Sequence, residues 1–399
     1  MTTRSVPAAR PDASASPVPV LPLAAVYFFY FAVIGAFMPY WGLYLQSLGF
    51  DAAAIGELGA IVMLTRIVAP NFWGYVADRS GRRLALVRLG AAMITIGWLG
   101  VFVVRDYWPL AAVLLVYGFF QNAILAQFEA VTLAHLGSQR ERYSRIRLWG
   151  SLGFIATGTG LGLYFEAFPV SHLPLALLIC AFATWLATLF VPDVATETRH
   201  ERTEGVFAIL CRRPVLTFFI AHFLLQLSHA PYYTFYSIHL EQHGYGRGTI
   251  GWLWGLGVFA EVVMFWYMHR LLPAAGEARL LQWSLALAGV RWLMIGALAD
   301  SPWAIWSAQL LHAASFASFH AAAMVLIHRH FGGGHQGQGQ AIYSMLWGSG
   351  VALGSWAAGL VWTPASAVWV FTCAGLLCAM ALLLLNWGRE RTAVRHSVP

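Results

Sequence analysis

The sequence predicts an all-α membrane protein of twelve transmembrane helices, arranged as two six-helix, pseudo-symmetric halves. Three observations predict this fold class: the composition, the number of long apolar segments, and a polar stretch near the middle of the chain. Of the 399 residues, 59% are hydrophobic and 10% are charged, whereas about 25% of the residues are charged in a soluble globular protein. Most of the protein surface is therefore expected to contact lipid.

Twelve segments are long and apolar enough to cross a bilayer, which requires about 20 residues of helix. The polar stretch 192–213 divides them into six and six, a hydropathy symmetry that is typical of transporters built from repeats. The predicted spans are 21–46, 53–76, 84–104, 108–136, 145–167 and 171–191 in the first half, and 214–239, 248–268, 279–299, 302–328, 341–361 and 365–388 in the second.

Three further segments are predicted to lie outside the membrane. Residues 1–20 are rich in Ala, Ser and Pro and contain no apolar stretch of the kind found in a signal peptide, so they are expected to form a disordered tail. The three segments are a cytoplasmic tail 1–20, a cytoplasmic loop 192–213 and a cytoplasmic tail 389–399. Between them lie the two six-helix halves, 21–191 and 214–388.

The arginines predict the orientation of the helices. All 24 basic residues are Arg, and with a cytoplasmic N-terminus twenty of them lie in cytoplasmic segments or at helix ends on that side. The opposite side has two, Arg105 and Arg247. Basic residues are retained on the cytoplasmic side of a membrane, so both termini are predicted to be cytoplasmic and the protein is expected in a bacterial inner membrane.

Composition also bears on cofactors, partners and catalysis. The net charge of +7 comes from arginines in short loops, a distribution that sets topology and does not indicate nucleic-acid binding. The four cysteines are scattered without metal-ligand spacing. No nucleophile–base set is apparent. We therefore expect no enzyme activity, no metal and no cofactor, and a monomer whose partners are a small-molecule substrate, protons and the lipid bilayer.

The loop after the second predicted span contains a recognisable motif. Residues 74–83 read GYVADRSGRR, which resembles the major facilitator signature G-x-x-x-D-R-x-G-R-[KR] at the expected loop. Gly74 is expected to allow close packing of the helix end, and Gly81 the tight reversal. Asp78 is expected to interact with the ends of neighbouring helices and so to bias one conformation. The basic residues of the motif are Arg79, Arg82 and Arg83.

Five charged residues within the predicted spans are candidates for function, because ionisable groups inside a spanning helix are costly and commonly functional. Glu129 and Arg147 are equally distant from the loop between the fourth and fifth spans, as are Glu261 and Arg291 from the loop between the eighth and ninth. Equal distances place the members of each pair at similar depth. Each pair is therefore expected either to line a cavity or to form a structural salt bridge. Arg66 has no depth-matched acid in its own hairpin, and the five candidates carry three positive and two negative charges, so the cavity is nominally cationic.

Histidines and aromatic residues form stripes on three helices. The seventh span has His222, His229 and Tyr233 on one face, and the tenth has His312 and His320. The first span has Tyr30, Phe37 and Trp41 on one face. We predict that these stripes contribute to substrate binding, although packing within the bundle is the alternative for each histidine. Because His titrates near neutral pH and burial raises the pKa of a carboxyl group, the candidate proton carriers are Glu129, Glu261, His229 and His320.

Several segments resemble the phenylpropionate permease family. They are 27–30, 38–45, 145–154, 229–235, 257–262, 289–292 and the helix that contains His312 and His320. More distantly, the chain is similar to lactose permease and to nucleoside–proton symporters. The resemblance implies a major facilitator fold and proton-coupled import of 3-phenylpropionate or a related aromatic monocarboxylate. Glu129 and Arg147 match the spacing of the sugar-binding charge pair of lactose permease, but Ser315 stands where its proton-coupling carboxylate is expected.

The sequence therefore predicts a symporter in which Arg66 or Arg291 binds a substrate carboxylate and aromatic side chains stack on its ring. The alternatives are a sugar or nucleoside symporter, a proton-antiport exporter of drugs or metabolites, and a non-transporting membrane sensor. The predicted substrate-binding residues are Tyr30, Trp41, Arg66, Glu129, Arg147, His229, Tyr233, Glu261, Arg291, His312 and His320.

Overall fold

A computed structural model describes residues 18–195, 206–332 and 335–395, with side chains up to residue 388. Residues 1–17 of the predicted tail, residues 196–205 of the predicted central loop and residues 396–399 lie outside these described residues. The described secondary structure is helical, with no β-strand in these three segments. The predicted fold class is confirmed.

Within the described residues, twelve long helices follow one another in two groups of six. A short helix, Val206–Leu210, precedes the second group, and the last helix continues beyond the predicted boundary at residue 388. In the first half they are α1 (Val20–Ser47), α2 (Ala52–Ser80), α3 (Arg83–Gly100), α4 (Tyr107–Leu136), α5 (Tyr143–Ala167) and α6 (Leu173–Leu189). In the second half they are α7 (Arg213–Gln242), α8 (Arg247–Ala275), α9 (Glu277–Ala297), α10 (Pro302–His330), α11 (Gln336–Val361) and α12 (Ala367–Arg395).

Ten of these helices are apolar enough to cross a membrane on composition alone, and α5 and α11 are the two that are not. Both contain many Gly, Ser and Thr residues. Small residues allow the backbones of membrane helices to approach closely. This composition matches their position, because α5 packs against α8 and α11 packs against α2 across the boundary between the halves.

The contacts among the six helices of the first half recur in the second half when six is added to each helix number. In the first half α1 packs against α5 and α6, α4 against α2 and α3, and α3 against α6. In the second half α7 packs against α11 and α12, α10 against α8 and α9, and α9 against α12. The contacts between the halves, α2 with α11 and α5 with α8, are exchanged by the same shift. The bundle therefore has the pseudo-symmetry that the hydropathy pattern predicts.

The two ends of the bundle differ in charge and in packing. We call the end with the loops after α2, α4 and α8 the Arg-rich end, and the end with the loops after α1, α3, α5, α7, α9 and α11 the Arg-poor end. A Cβ atom on Gly56 would lie 2.5 Å from the carbonyl oxygen of Ser355, and one on Gly251 would lie 2.6 Å from that of Gly158. Such distances are possible only for glycine. The halves are therefore tightly closed at the Arg-poor end.

Two hydrogen bonds between described residues also join the halves at the Arg-poor end. The Gly248 N–H donates to Glu166 Oε1 at 2.7 Å, and the Thr159 hydroxyl donates to the Gly251 carbonyl at 3.5 Å. Deeper toward the Arg-rich end, the side chains of Glu129 and Arg147 remain 38% and 30% exposed although they lie within spanning helices. The interior is therefore accessible from the Arg-rich end in this conformation.

Candidate functional site

The centre of the molecule lies where α1, α2, α7 and α11 meet. A cavity of about 40 Å³ remains between them on the Arg-poor side. That volume accommodates water but no organic solute, so the route to the Arg-poor end is closed. Trp41 and Tyr233, both predicted site residues, line this cavity together with Phe37, Met38, Gly42, Ile55, Gly59, Met63, Thr234, Val351 and Ser355.

Arg66 lies one helical turn from this cavity, on α2. Its guanidinium carbon is 4.1 Å from the centre of the Trp347 indole, on α11 of the other half. The hydroxyl groups of Tyr30, Tyr117 and Tyr233 are close enough to interact electrostatically with its charge. Among the described residues, no carboxylate lies within ion-pair distance of Arg66 and none of its N–H groups has a hydrogen-bond acceptor. An arginine in this condition is suited to bind an anionic ligand.

Glu129 and Arg147 lie together, as their spacing predicts. Arg147 Nε is 3.9 Å from Glu129 Oε1, which is the limit of an ion pair. The Arg147 guanidinium also stacks on Phe31 of α1, 4.1 Å from the ring centre, and lies 5.5 Å from the Tyr27 ring. This pair is on the wall of the first half, where the interior is accessible from the Arg-rich end.

Glu261 has a different partner from the one expected. Its Oε1 atom is 2.5 Å from Nε2 of His312 on α10, and no ion pair with Arg291 is formed. Arg291 instead donates from Nε to the Ala308 carbonyl at 3.1 Å and lies over the Tyr232 and Trp292 rings, 4.1 and 4.5 Å away. Of the two alternatives predicted for Glu261 and Arg291, the structural salt bridge is therefore wrong in this conformation. Distance from a loop gives the depth of a residue but not the direction in which it points.

The other three predicted histidines, His222, His229 and His320, differ in burial. His222 and His229 are fully buried within the second half. His222 stacks on Tyr343 and bonds its backbone carbonyl at 3.0 Å, and His229 Nδ1 bonds the Leu225 carbonyl at 2.8 Å. His320 is partly exposed and its Nδ1 lies 3.3 Å from the Tyr343 hydroxyl. The histidine stripe of α7 thus packs inside its own half, and only Tyr233 of that stripe reaches the central cavity.

A π-helical turn, Ala314–Ser318, interrupts α10 between its two predicted site histidines. Such turns are frequent at functional sites. The Ser315 hydroxyl donates to the His312 carbonyl at 3.1 Å, and the Ser318 hydroxyl is 2.9 Å from that of Ser284 on α9. These side chains provide hydrogen bonds where the regular helical pattern is broken. The turn also changes the angular relation of His312 to His320, which the eight-residue spacing assumes to be that of an α-helix.

The loop motif forms a compact ionic turn at the Arg-rich end. Asp78 pairs with Arg83, the first residue of α3, at 2.5 Å, and Arg83 also donates to Gln127 on α4 at 2.5 Å. Gly81 has a φ angle of 65°, which a glycine adopts without strain. A Cβ atom on Gly74 would meet no atom within 4 Å. The close packing predicted at Gly74 is therefore absent in this conformation.

Sequence reasoning missed Trp347, Tyr232 and Gln309. Trp347 covers Arg66, while Gln309 accepts hydrogen bonds from the Tyr232 hydroxyl at 3.2 Å and from Arg291 at 3.4 Å. The chain has 18 Trp and 15 Tyr residues, so aromatic identity alone does not distinguish a site residue. The one available signal was the position of Trp347 beside Gly348 in the glycine-rich α11.

The family model that matches is described as the MFS_1 like family, over residues 20–373. The chain belongs to this family. It is 30% identical over 319 residues to a protein of Escherichia coli (strain K12) described as "Probable 3-phenylpropionic acid transporter", covering 76% of this chain and 80% of that protein. It is 27% identical over 388 residues to the maltose permease of Geobacillus stearothermophilus, covering 92% and 94%. The chain is therefore a membrane-embedded transporter of the major facilitator superfamily.

A solved structure has the same fold. The crystal structure of the nucleoside transporter NupG (D323A mutant) superposes with a TM-score of 0.83 at 17% identity, covering 93% of this chain and all of that one. At this identity the likeness shows the fold alone. The relatives that it resembles are transporters of small molecules.

Proposed function

We propose that this protein is a proton-coupled symporter that imports an aromatic monocarboxylate, such as 3-phenylpropionate, by alternating access. The observation that carries the proposal is Arg66, which is held among aromatic side chains at the boundary of the two halves without a carboxylate partner among the described residues. A charge in the membrane interior requires a counter-ion, and a substrate carboxylate supplies one.

The surroundings of Arg66 suit the rest of such a substrate. Trp41 stacks on Phe37 with ring centres 5.1 Å apart, and Tyr233 lies across the cavity from them. Aromatic rings attract one another in offset or edge-to-face arrangements. A phenyl group that enters between these side chains would gain such contacts while its carboxylate binds Arg66. Because the closed cavity is too small for a phenyl ring, binding requires the aromatic side chains to move.

Proton coupling is supported by the Glu261–His312 pair. The two side chains are 15% and 7% exposed and lie 2.5 Å apart. A carboxyl group and an imidazole at hydrogen-bonding distance can hold one proton between them or lose it. Of the other proton-carrier candidates, Glu129 is paired with Arg147 and His229 is packed inside the second half. We therefore assign the coupling proton to Glu261 with His312, and regard His320 as an auxiliary candidate.

The charge distribution supports an inward-facing assignment for this conformation. Basic residues mark the cytoplasmic side, so the accessible Arg-rich end is taken as cytoplasmic and the closed Arg-poor end as external. Both termini are then cytoplasmic, and a bacterial inner membrane is the proposed location. We propose that the protein functions as a monomer, since each half supplies one wall of the same central site.

Reconstitution provides the test. Purified protein in liposomes is given labelled 3-phenylpropionate, a sugar and a nucleoside in turn, with and without an inward proton gradient. The proposal expects 3-phenylpropionate to accumulate above its external concentration only when the gradient is present. Uptake of another compound alone would refute the substrate class. Gradient-driven movement of substrate against the direction of proton flow would refute symport and favour an exporter.

A sugar symporter is the second candidate, favoured by the Glu129–Arg147 pair. Carboxylate and guanidinium groups can hydrogen-bond sugar hydroxyls, and the pair is accessible from the Arg-rich end. The maltose permease similarity supports the same substrate class. Accumulation of maltose or lactose in the liposome assay, without accumulation of 3-phenylpropionate, would establish this candidate.

A further inference from the structure

In the contact between Arg66 and Trp347, the face of the guanidinium group packs on the indole and its N–H edge is left for a ligand. The guanidinium carbon lies 4.1 Å from the indole centre, so the cation is held over the aromatic face. A guanidinium group interacts with aromatic rings through its flat face and donates hydrogen bonds in its own plane. An arginine held in this way keeps its N–H groups available for a ligand.

The packing around the contact restricts where Arg66 can lie. A Cβ atom on Gly348, the residue after Trp347, would be 2.8 Å from the Arg66 Cβ and 3.1 Å from the Met63 carbonyl. The backbones of α2 and α11 are therefore in close contact beside the arginine. Tyr233 of α7 also packs against Trp347, with ring centres 6.0 Å apart. The indole therefore contacts Arg66 of α2 and Tyr233 of α7.

The two residues also belong to different halves of the molecule. Arg66 is on α2 of the first half, and Trp347 is on α11 of the second. A ligand that binds Arg66 therefore depends on a side chain supplied by the opposite half. A relative movement of the halves that separates α2 from α11 at this level would release the guanidinium group from the indole.

We infer that Trp347 is a positioning residue for anion recognition: it holds the Arg66 guanidinium face so that its N–H edge binds the substrate carboxylate. This inference rests on the proposed carboxylate substrate and adds to it the residue that gives Arg66 its orientation. Trp347 itself does not need to touch the carboxylate. Its contribution is to lower the cost of ordering a flexible arginine side chain on binding.

The test compares two ligands of the same shape, 3-phenylpropionate and its neutral amide, 3-phenylpropanamide. Their dissociation constants are measured by calorimetry on the purified full-length protein and on the variants Trp347→Ala and Trp347→Phe. A desolvated cation–π contact contributes about 1–2 kcal/mol, which corresponds to a loss of about 5- to 30-fold. We expect Trp347→Ala to lose this factor for the acid, with a much smaller effect on the amide, and Trp347→Phe to restore much of it.

Trp387→Ala is the matched control. Trp387 makes the same kind of contact, with the Arg213 guanidinium 3.5 Å from its ring centre, but it lies at the Arg-rich end within the second half. This variant should leave both dissociation constants unchanged. Size-exclusion chromatography of each variant establishes that the protein is folded, and Trp347→Phe, which retains an aromatic ring, preserves the test if the alanine variant aggregates.

Three outcomes would contradict the inference. If Trp347→Ala binds the acid as tightly as the unmodified protein does, Trp347 does not position Arg66. If the acid and the amide lose affinity equally, its role is general packing and not anion recognition. If the unmodified protein binds neither compound, the proposed substrate class is wrong and this inference is wrong with it. The first two outcomes leave the proposed function intact.

Discussion

The Glu261 carboxylate on α8 and the His312 imidazole on α10 lie 2.5 Å apart, between Oε1 and Nε2, in the interior of the second half. Both side chains are almost completely removed from solvent, and Arg291 is not the ion-pair partner of Glu261. A proton that the two groups share or release therefore changes the charge inside the second half directly.

Replacing Glu261 by Gln should abolish accumulation against a gradient while leaving exchange of substrate across the membrane. Glutamine retains the size of the side chain and can still hydrogen-bond His312, but it cannot bind and release a proton near neutral pH. Uptake driven by a proton gradient and exchange between equal substrate concentrations are measured in the same liposomes. Glu57→Gln is the control, because Glu57 accepts a hydrogen bond from the Tyr107 hydroxyl at 2.8 Å within the first half, away from this pair.

Retained accumulation in Glu261→Gln would remove Glu261 from the coupling mechanism. Loss of exchange together with accumulation would show that Glu261 is required for the movement of the halves or for substrate binding.

Replacing Arg66 by Lys should raise the KM for an aromatic carboxylate about 10- to 150-fold, the effect of a lost charged hydrogen bond of about 1.5–3 kcal/mol. Lysine keeps the positive charge but lacks the planar, paired N–H donors and the flat face that stacks on Trp347. Initial rates of uptake over a range of substrate concentrations measure the change. Arg105→Lys, at the Arg-poor end outside the central site, should transport normally. An unaltered KM in Arg66→Lys would mean that another group binds the carboxylate.

Replacing Gly162 by Val should prevent full closure of the Arg-poor end. A Cβ atom there would lie 2.7 Å from the Arg247 carbonyl and 3.2 Å from the Gly251 Cα, both in the opposite half. Two spin labels, one in each half at the Arg-poor end, report the closure as a distance distribution. We expect this distribution to shift toward longer distances in Gly162→Val.

Gly160→Val provides the comparison on the same helix, because a Cβ atom on Gly160 would meet no atom within 4 Å. It should leave the distance distribution unchanged. Equal distributions for both valine variants would mean that the glycine contacts between α5 and α8 do not limit closure.

Replacing Glu166 by Gln should weaken the closed state of the Arg-poor end about 2- to 5-fold. Glu166 on α5 accepts the Gly248 N–H at the start of α8, at 2.7 Å. A carboxylate at a helix N-terminus stabilises it by about 0.3–1 kcal/mol through the helix dipole, and this bond crosses between the halves. The same spin-label distances measure the populations of the closed and open states. Glu57→Gln is the control and should leave these populations unchanged, because Glu57 is hydrogen-bonded within one half. An equal effect of the two variants would exclude a specific role for Glu166.

Much of the architecture was predictable because it depends on residue composition and spacing. Long apolar segments must form helices in a bilayer, since the backbone polar groups have no water to bond. The division into six and six, confirmed by the repeated helix contacts, was visible in the polar stretch at residues 192–213. The Glu129–Arg147 contact also agrees with prediction, because neighbouring residues on consecutive antiparallel helices need only matching depth and a common face.

The partner of Glu261 was not predictable in the same way. Arg291 lies at the expected distance from the loop, but the packing of α9 directs it to Ala308 and Tyr232, whereas α10 brings His312 to Glu261. The π-helical turn at Ala314–Ser318 likewise depends on local packing and hydroxyl hydrogen bonds, which a regular helical periodicity does not include.

The sequence by itself determined the membrane-spanning fold, its two halves, the loop motif and the set of charged residues in the interior, because each depends on the chemistry of nearby residues along the chain. Only the tertiary structure decided which of those charges meet and which remain available to a ligand. The contact between Arg66 and Trp347 joins residues that are far apart in sequence and in opposite halves. No spacing rule connects them, since their contact depends on how the two halves are placed against each other.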